Sequence, residues 1–197
     1  GVFTMDMQGN RPLPVTQAQA WAALNNPDIL KACIPGCDKF ELTEPNVYAV
    51  GVSLKVGPVA AKFTGKVSLM DIVPPTSYAL QFEAQGGVAG FGKGTANVAL
   101  ASHDAGCELS YTVHSQVGGK IAQLGQRLID GVAKNLSEEF FQRFENELIK
   151  LHPPAEGAAA SNHLDGAADK TESGLPSWFW IAALGVVAVA AVLLTRG

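Results

Sequence analysis

From Trp178 to Leu194 every residue is apolar or Gly, and no charged residue lies between Glu172 and Arg196. A helix rises about 1.5 Å per residue, so this run and its flanks cover a hydrocarbon core of roughly 30 Å. Trp178 and Trp180 stand at its start, where amphipathic rings favour the headgroup level, and Arg196 closes its far end. A helix lying on the surface would carry a charged face, which this run lacks. A buried core helix fits poorly behind a polar stretch. The expectation is one spanning anchor over residues 175–196, with Trp178, Trp180, Ile181, Leu184, Val187 and Leu194 as its membrane residues.

Upstream, residues 153–174 (PPAEGAAASNHLDGAADKTESG) are rich in Ala, Gly, Ser and Pro without apolar periodicity. Such a stretch cannot bury enough surface to order itself and reads as a linker, with an r.m.s. span of about 25 Å. Residues 1–152 are then one ordinary domain, large enough for a core of its own. They carry 12 basic and 14 acidic side chains, a net of −2. That balance gives no reason to expect nucleic acid. Three cysteines at loose spacing, Cys33, Cys37 and Cys107, argue for a reducing compartment. No basic-then-apolar leader opens the chain. Met5 could be a native start, with Gly1 to Thr4 added ahead of it. The expected location is the cytoplasmic membrane, with the N-terminal domain on the cytoplasmic side.

Within the domain, Thr16 reads as the N-cap of a short helix over residues 18–24, and Pro27 to Cys33 as a second short helix. Strands follow at residues 39–43, 47–56, 59–72, 78–84, 92–100 and 107–117. Their period-2 alternation with one polar face marks a half-buried antiparallel sheet. No element is assigned before Thr16. From Gly119 to about Leu151, apolar residues recur at Ile121, Leu124, Leu128, Val132, Leu136, Phe140, Phe144 and Leu148, which predicts one long helix. The fold class is α+β, with the helix across the concave face of a curved sheet.

The inward rows of that sheet include Gly92, Gly94, Ala96, Ala61, Gly65 and Ala84, and the helix carries Gly125 and Gly131. Small residues facing a helix mean either very close packing or an apolar cavity suited to a hydrophobic, largely uncharged molecule. Gly86 to Gly94 (GGVAGFGKG) lacks the following helix and the Gly-Lys-Ser/Thr ending of a phosphate loop. It reads instead as a plain turn or as a flexible hairpin with Phe91 near its tip. The Cys33/Cys37 spacing and the scattered histidines do not make a metal site. No nucleophile elbow is present. Asp130 and Lys134, one helical turn apart, read as a surface pair.

Residues 31–41 (KACIPGCDKFE), 55–78 (KVGPVAAKFTGKVSLMDIVPPTSY), 86–100 (GGVAGFGKGTANVAL) and 117–144 (VGGKIAQLGQRLIDGVAKNLSEEFFQRF) resemble CoxG, the G subunit of carbon monoxide dehydrogenase. The resemblance runs from about Met5 to Leu148, and the order of motifs agrees. It implies a START-like (SRPBCC) helix-grip domain, whose relatives enclose a hydrophobic ligand between curved sheet and C-terminal helix. It also implies an accessory role: recruiting a molybdenum hydroxylase-type carbon monoxide dehydrogenase to the cytoplasmic membrane. The cavity suggests binding of a quinone, menaquinone where organisms use it, passed between membrane lipid and enzyme. The family member itself carries no molybdenum, flavin or iron–sulfur site, and this chain lacks the cysteine patterns for one.

The expected cavity residues are Phe63, Val67, Phe82, Phe91, Ala96, Tyr111, Leu124, Leu128 and Val132, with the Tyr111 hydroxyl offered to a quinone carbonyl. No catalytic residues are expected, and the chain is read as a binder rather than an enzyme. The alternatives are a pure tether with a packed interior, a binder of another lipid, and an enzyme like some helix-grip relatives.

Overall fold

A computed structural model describes residues 1–103 and 106–154. Residues 155–174 of the expected linker and the expected anchor, Trp178 to Leu194 included, lie outside the described residues. Among the described residues, no helix is long and apolar enough to cross a membrane.

The chain opens on a strand, β1 (Val2–Leu13), then α1 (Gln17–Leu24) and α2 (Pro27–Cys33). Strands β2 (Cys37–Glu44), β3 (Val47–Val56), β4 (Val59–Val73), β5 (Ser77–Gln85), β6 (Phe91–His103) and β7 (Gly106–Gly118) follow as an antiparallel meander. The last element described is α3 (Gln126–Leu151). The seven strands form one sheet in the order β1-β7-β6-β5-β4-β3-β2. The first strand thus closes onto the last, with Met5 opposite Ser115, and β1 and β2 become the two edges.

Local signals explain the helix boundaries. Thr16 caps α1 with a reciprocal box. Its hydroxyl accepts from the Gln19 amide at 3.2 Å, and its own amide donates to the Gln19 side chain at 3.0 Å. Asn26 caps α2, and Pro27 takes the first position, where a missing N–H costs nothing. α2 packs on β2 and α3, and α1 on β6, β7 and α2.

Two expectations need correcting. β1 has no counterpart among the expected strands, although Phe3, Met5 and Met7 alternate with polar residues; Gly9 and Arg11 then occupy inward positions and dilute the pattern. The long helix does not begin at Gly119. A 3₁₀ turn spans Ile121–Leu124, and α3 starts at Gln126. Gly119 and Gly125 take φ of +98° and +93°, which a right-handed helix cannot accommodate. Gly119 is also pinned by close approach, because a Cβ there would lie 2.2 Å from the Gly90 Cα.

Candidate functional site

A cavity of about 980 Å³ lies between β1, β5, β6, β7 and the first half of α3. This is at the upper end of the span of small-molecule sites, roughly 300–1,000 Å³. Met5, Tyr78, Val98 and Tyr111, all at most 5% exposed, supply its inner wall. Gln126, Asp130, Gly131 and Lys134 of α3 face it from the other side and are solvent-exposed. The cavity is therefore apolar at depth and polar toward solvent.

The backbone explains where the space is. A Cβ built on Gly131 would meet nothing within 4 Å, so the helix does not press on the sheet there. The glycines of the sheet behave differently. A Cβ on Gly94 would strike the His114 carbonyl at 2.1 Å and the Phe82 ring at 2.6 Å. A Cβ on Gly65 would strike Ala84 at 2.4 Å. Phenylalanine rings and neighbouring strands already occupy the room those small residues leave. The sheet's small-residue patch is filled, and the open volume lies beside it.

The expected residues therefore sit as follows. Tyr111 is on the cavity wall. Phe63, Val67, Phe82 and Ala96 are buried in the core at 1–3% exposure. Phe91, the first residue of β6, is not at the hairpin tip: its ring packs over Gly118 at the end of β7, and Val88 holds the tip at 94% exposure. Leu124 and Val132 are half-buried against the core. Leu128 is 39% exposed and leans toward Gly57 of the β3–β4 turn. Sequence reading missed the cavity residues Met5, Met7 and Gly9 of the unexpected β1, and also Tyr78 of β5, Val98 of β6 and Gln126, Asp130 and Lys134 of α3.

Burial pushes the Tyr78 hydroxyl well above its ordinary pKa, and the ring meets Trp21 edge-on at 5.6 Å. Partial desolvation raises the Asp130 carboxyl, and no ion pair with Lys134 forms. The buried Ser115 hydroxyl is satisfied by donating to the Met5 carbonyl at 3.1 Å. Beyond the cavity, Arg11 fastens β1 to α3. Its Nε donates to Glu145 at 2.8 Å, Nη1 lies 3.1 Å from Glu138, and the guanidinium stands 5.2 Å from the Phe141 ring centre.

The thiols are poor nucleophiles. Burial pushes Cys33 up to about 12 and Cys37 to about 11, so both are protonated near neutral pH. Among the described residues, no three His, Cys, Asp or Glu side chains converge on a metal position.

Comparison with known proteins agrees with this architecture. Residues 9–149 match the family of the carbon monoxide dehydrogenase G subunit (CoxG). No curated protein matches the sequence. A conserved protein from Geobacillus kaustophilus, of known crystal structure, is 31% identical with a TM-score of 0.69; the match covers 74% of this chain and 96% of that one. A protein from Rhizobium leguminosarum is 15% identical, TM-score 0.59, with 76% and 97% covered. One from Thermus thermophilus is 11% identical, TM-score 0.56, with 75% and 99% covered. At such low identity the last two speak for the SRPBCC-like fold alone. The fold, its cavity and the match over residues 9–149 together show that the chain belongs to the CoxG family.

Proposed function

We propose that this protein is a binding partner of a molybdenum hydroxylase-type carbon monoxide dehydrogenase that holds a hydrophobic quinone, menaquinone first among candidates, between sheet and helix. Membership of the CoxG family carries the dehydrogenase-associated role. The cavity of about 980 Å³ supports the ligand: its deep wall is apolar, and its solvent side offers Gln126, Asp130 and Lys134 to a polar headgroup. Thiols held protonated by burial fit a binder better than a catalyst. The apolar run over residues 175–196 supports a place at the cytoplasmic membrane, where isoprenoid quinones dissolve.

The test is extraction of the purified full chain with organic solvent followed by mass spectrometry. An isoprenoid quinone is expected in the wild type and strongly depleted in Gly131→Trp, whose indole would project into the open volume. A chain that yields no extractable lipid, yet still retains the dehydrogenase on membranes, is a pure tether. A different lipid, displaced by the same substitution, keeps the cavity and replaces its ligand.

A further inference from the structure

The two ends of the sheet differ in charge. At one end the β3–β4 turn, the β5–β6 loop, the β7–α3 link and the start of β1 converge. Gly90 abuts Gly119, Leu128 of α3 reaches Gly57, and Val2 packs at Gly118. Residues 1–4, 54–60, 85–92 and 117–128, in the loops of this end, contain Lys55, Lys120 and Arg127 and no Asp or Glu, while Asp38 at the nearby start of β2 is neutralised by Lys62. All three cations are exposed, and none takes part in an ion pair among the described residues. Among them stand Val88, 94% exposed, Val2 at 59% and Leu128 at 39%. At the other end Glu44 closes β2 and Asp71 lies near the end of β4, and the β2–β3 and β4–β5 turns contain no Lys or Arg. A chain of net charge −4 has thus gathered cations around apolar tips at one end.

We infer that this end docks on an anionic lipid surface, with Val88 entering the interface and Lys55, Lys120 and Arg127 facing lipid phosphates. The inference rests partly on the reading of residues 175–196 as a membrane anchor. Each cation near an anionic leaflet strengthens attraction about fivefold, and salt weakens it within a Debye length of ~8 Å. An apolar tip supplies the short-range part of the attraction. The docked end is also where α3 begins, so the cavity's helix-side residues would lie near the lipid.

The test uses the full chain in vesicles of phosphatidylcholine, alone or mixed with phosphatidylglycerol, with a thiol-reactive nitroxide on Val88→Cys. Cys33 and Cys107 are buried, and the Cys37 thiol is pushed up to about 11, so the new thiol reacts first; the unsubstituted chain, labelled in parallel, gives the background. In mixed vesicles the label should show a several-fold gain in collisions with oxygen relative to a water-soluble nickel chelate. The gain should vanish in high salt and in Lys120→Glu/Arg127→Glu. A label on Leu42→Cys, at the acidic end, should stay aqueous. If the chain floats with vesicles while the Val88 label stays aqueous, the docking fails and the anchor stands. If the chain does not float with either vesicle, both fail. If the label is aqueous on vesicles but shielded by added dehydrogenase, the surface belongs to a protein and the lipid assignment is overturned.

Discussion

The two halves of α3 are one continuous helix with two different tasks. In the C-terminal half, Phe140, Phe141, Phe144 and Leu148 are at most 2% exposed, and Phe140 stacks on Phe144 at 5.5 Å. α1 and α2 pack against this helix, so its stability comes from dense contact. In the N-terminal half Ile129, Ala133 and Ser137 alone are buried, Asp130 and Gly131 are exposed, and the space toward the sheet is open. Arg11 marks the border, reaching Glu138 and Glu145 from β1. A helix can leave a cavity unfilled along one half because the other half is anchored strongly enough to hold its direction.

Substitutions that respect or violate this division should rank accordingly. Phe144→Ala, in the packed half, should cost about 4 kcal/mol, read as a large fall in the urea midpoint; a loss below ~1 kcal/mol would mean that half is not the anchor. Arg11→Met leaves two carboxylates without their partner. Since Glu138 is 46% exposed, solvent softens the effect to about 2 kcal/mol, and the loss should shrink in high salt. In the open half the sign reverses. Gly131→Ala should stabilise by about 1 kcal/mol, because helix propensity improves and the new methyl meets nothing; a destabilised variant would show that the helix closes onto the sheet. The smallest effect belongs to Asp130. Partial desolvation of this exposed side chain raises its carboxyl, so the folded state binds the proton more tightly than the unfolded one. Its contribution to stability is then present at acid pH and lost as pH rises through the folded pKa. Asp130→Asn should be slightly more stable than wild type at pH 7, and the gap should close as pH falls below about 4, the ordinary carboxylate value. Thermal melts across that range check it.

The sheet strands from β2 onward and both short helices are legible in the sequence because their signals are local. Alternation marks a half-buried strand, and Thr16 and Asn26 are caps with a mechanism. The cavity is harder to read. Gly94, Ala96 and Ala84 suggest empty space, yet Phe82 lies over Gly94, and a ring from the neighbouring strand is invisible to a count of small residues along one row. The helix start is masked because Ile121 and Leu124 keep helical spacing through a 3₁₀ turn, while the positive φ of Gly125 breaks the backbone without disturbing that spacing. Gly131 points correctly to open volume, because a glycine on an exposed helix face has no packing reason to be there.

The pairing of β1 with β7 has a consequence for how the chain is made. Residue 5 must wait for residue 115, a separation of 110 positions, before its carbonyl receives the Ser115 hydroxyl. During vectorial synthesis residues 2–13 emerge ahead of their partner strand, while the β2–β6 hairpins can form in order behind them. Closing a loop of that length is entropically late and slow. Residues 2–13 thus stay without their strand partner until β7 is made, although in the finished sheet they are held along their whole length.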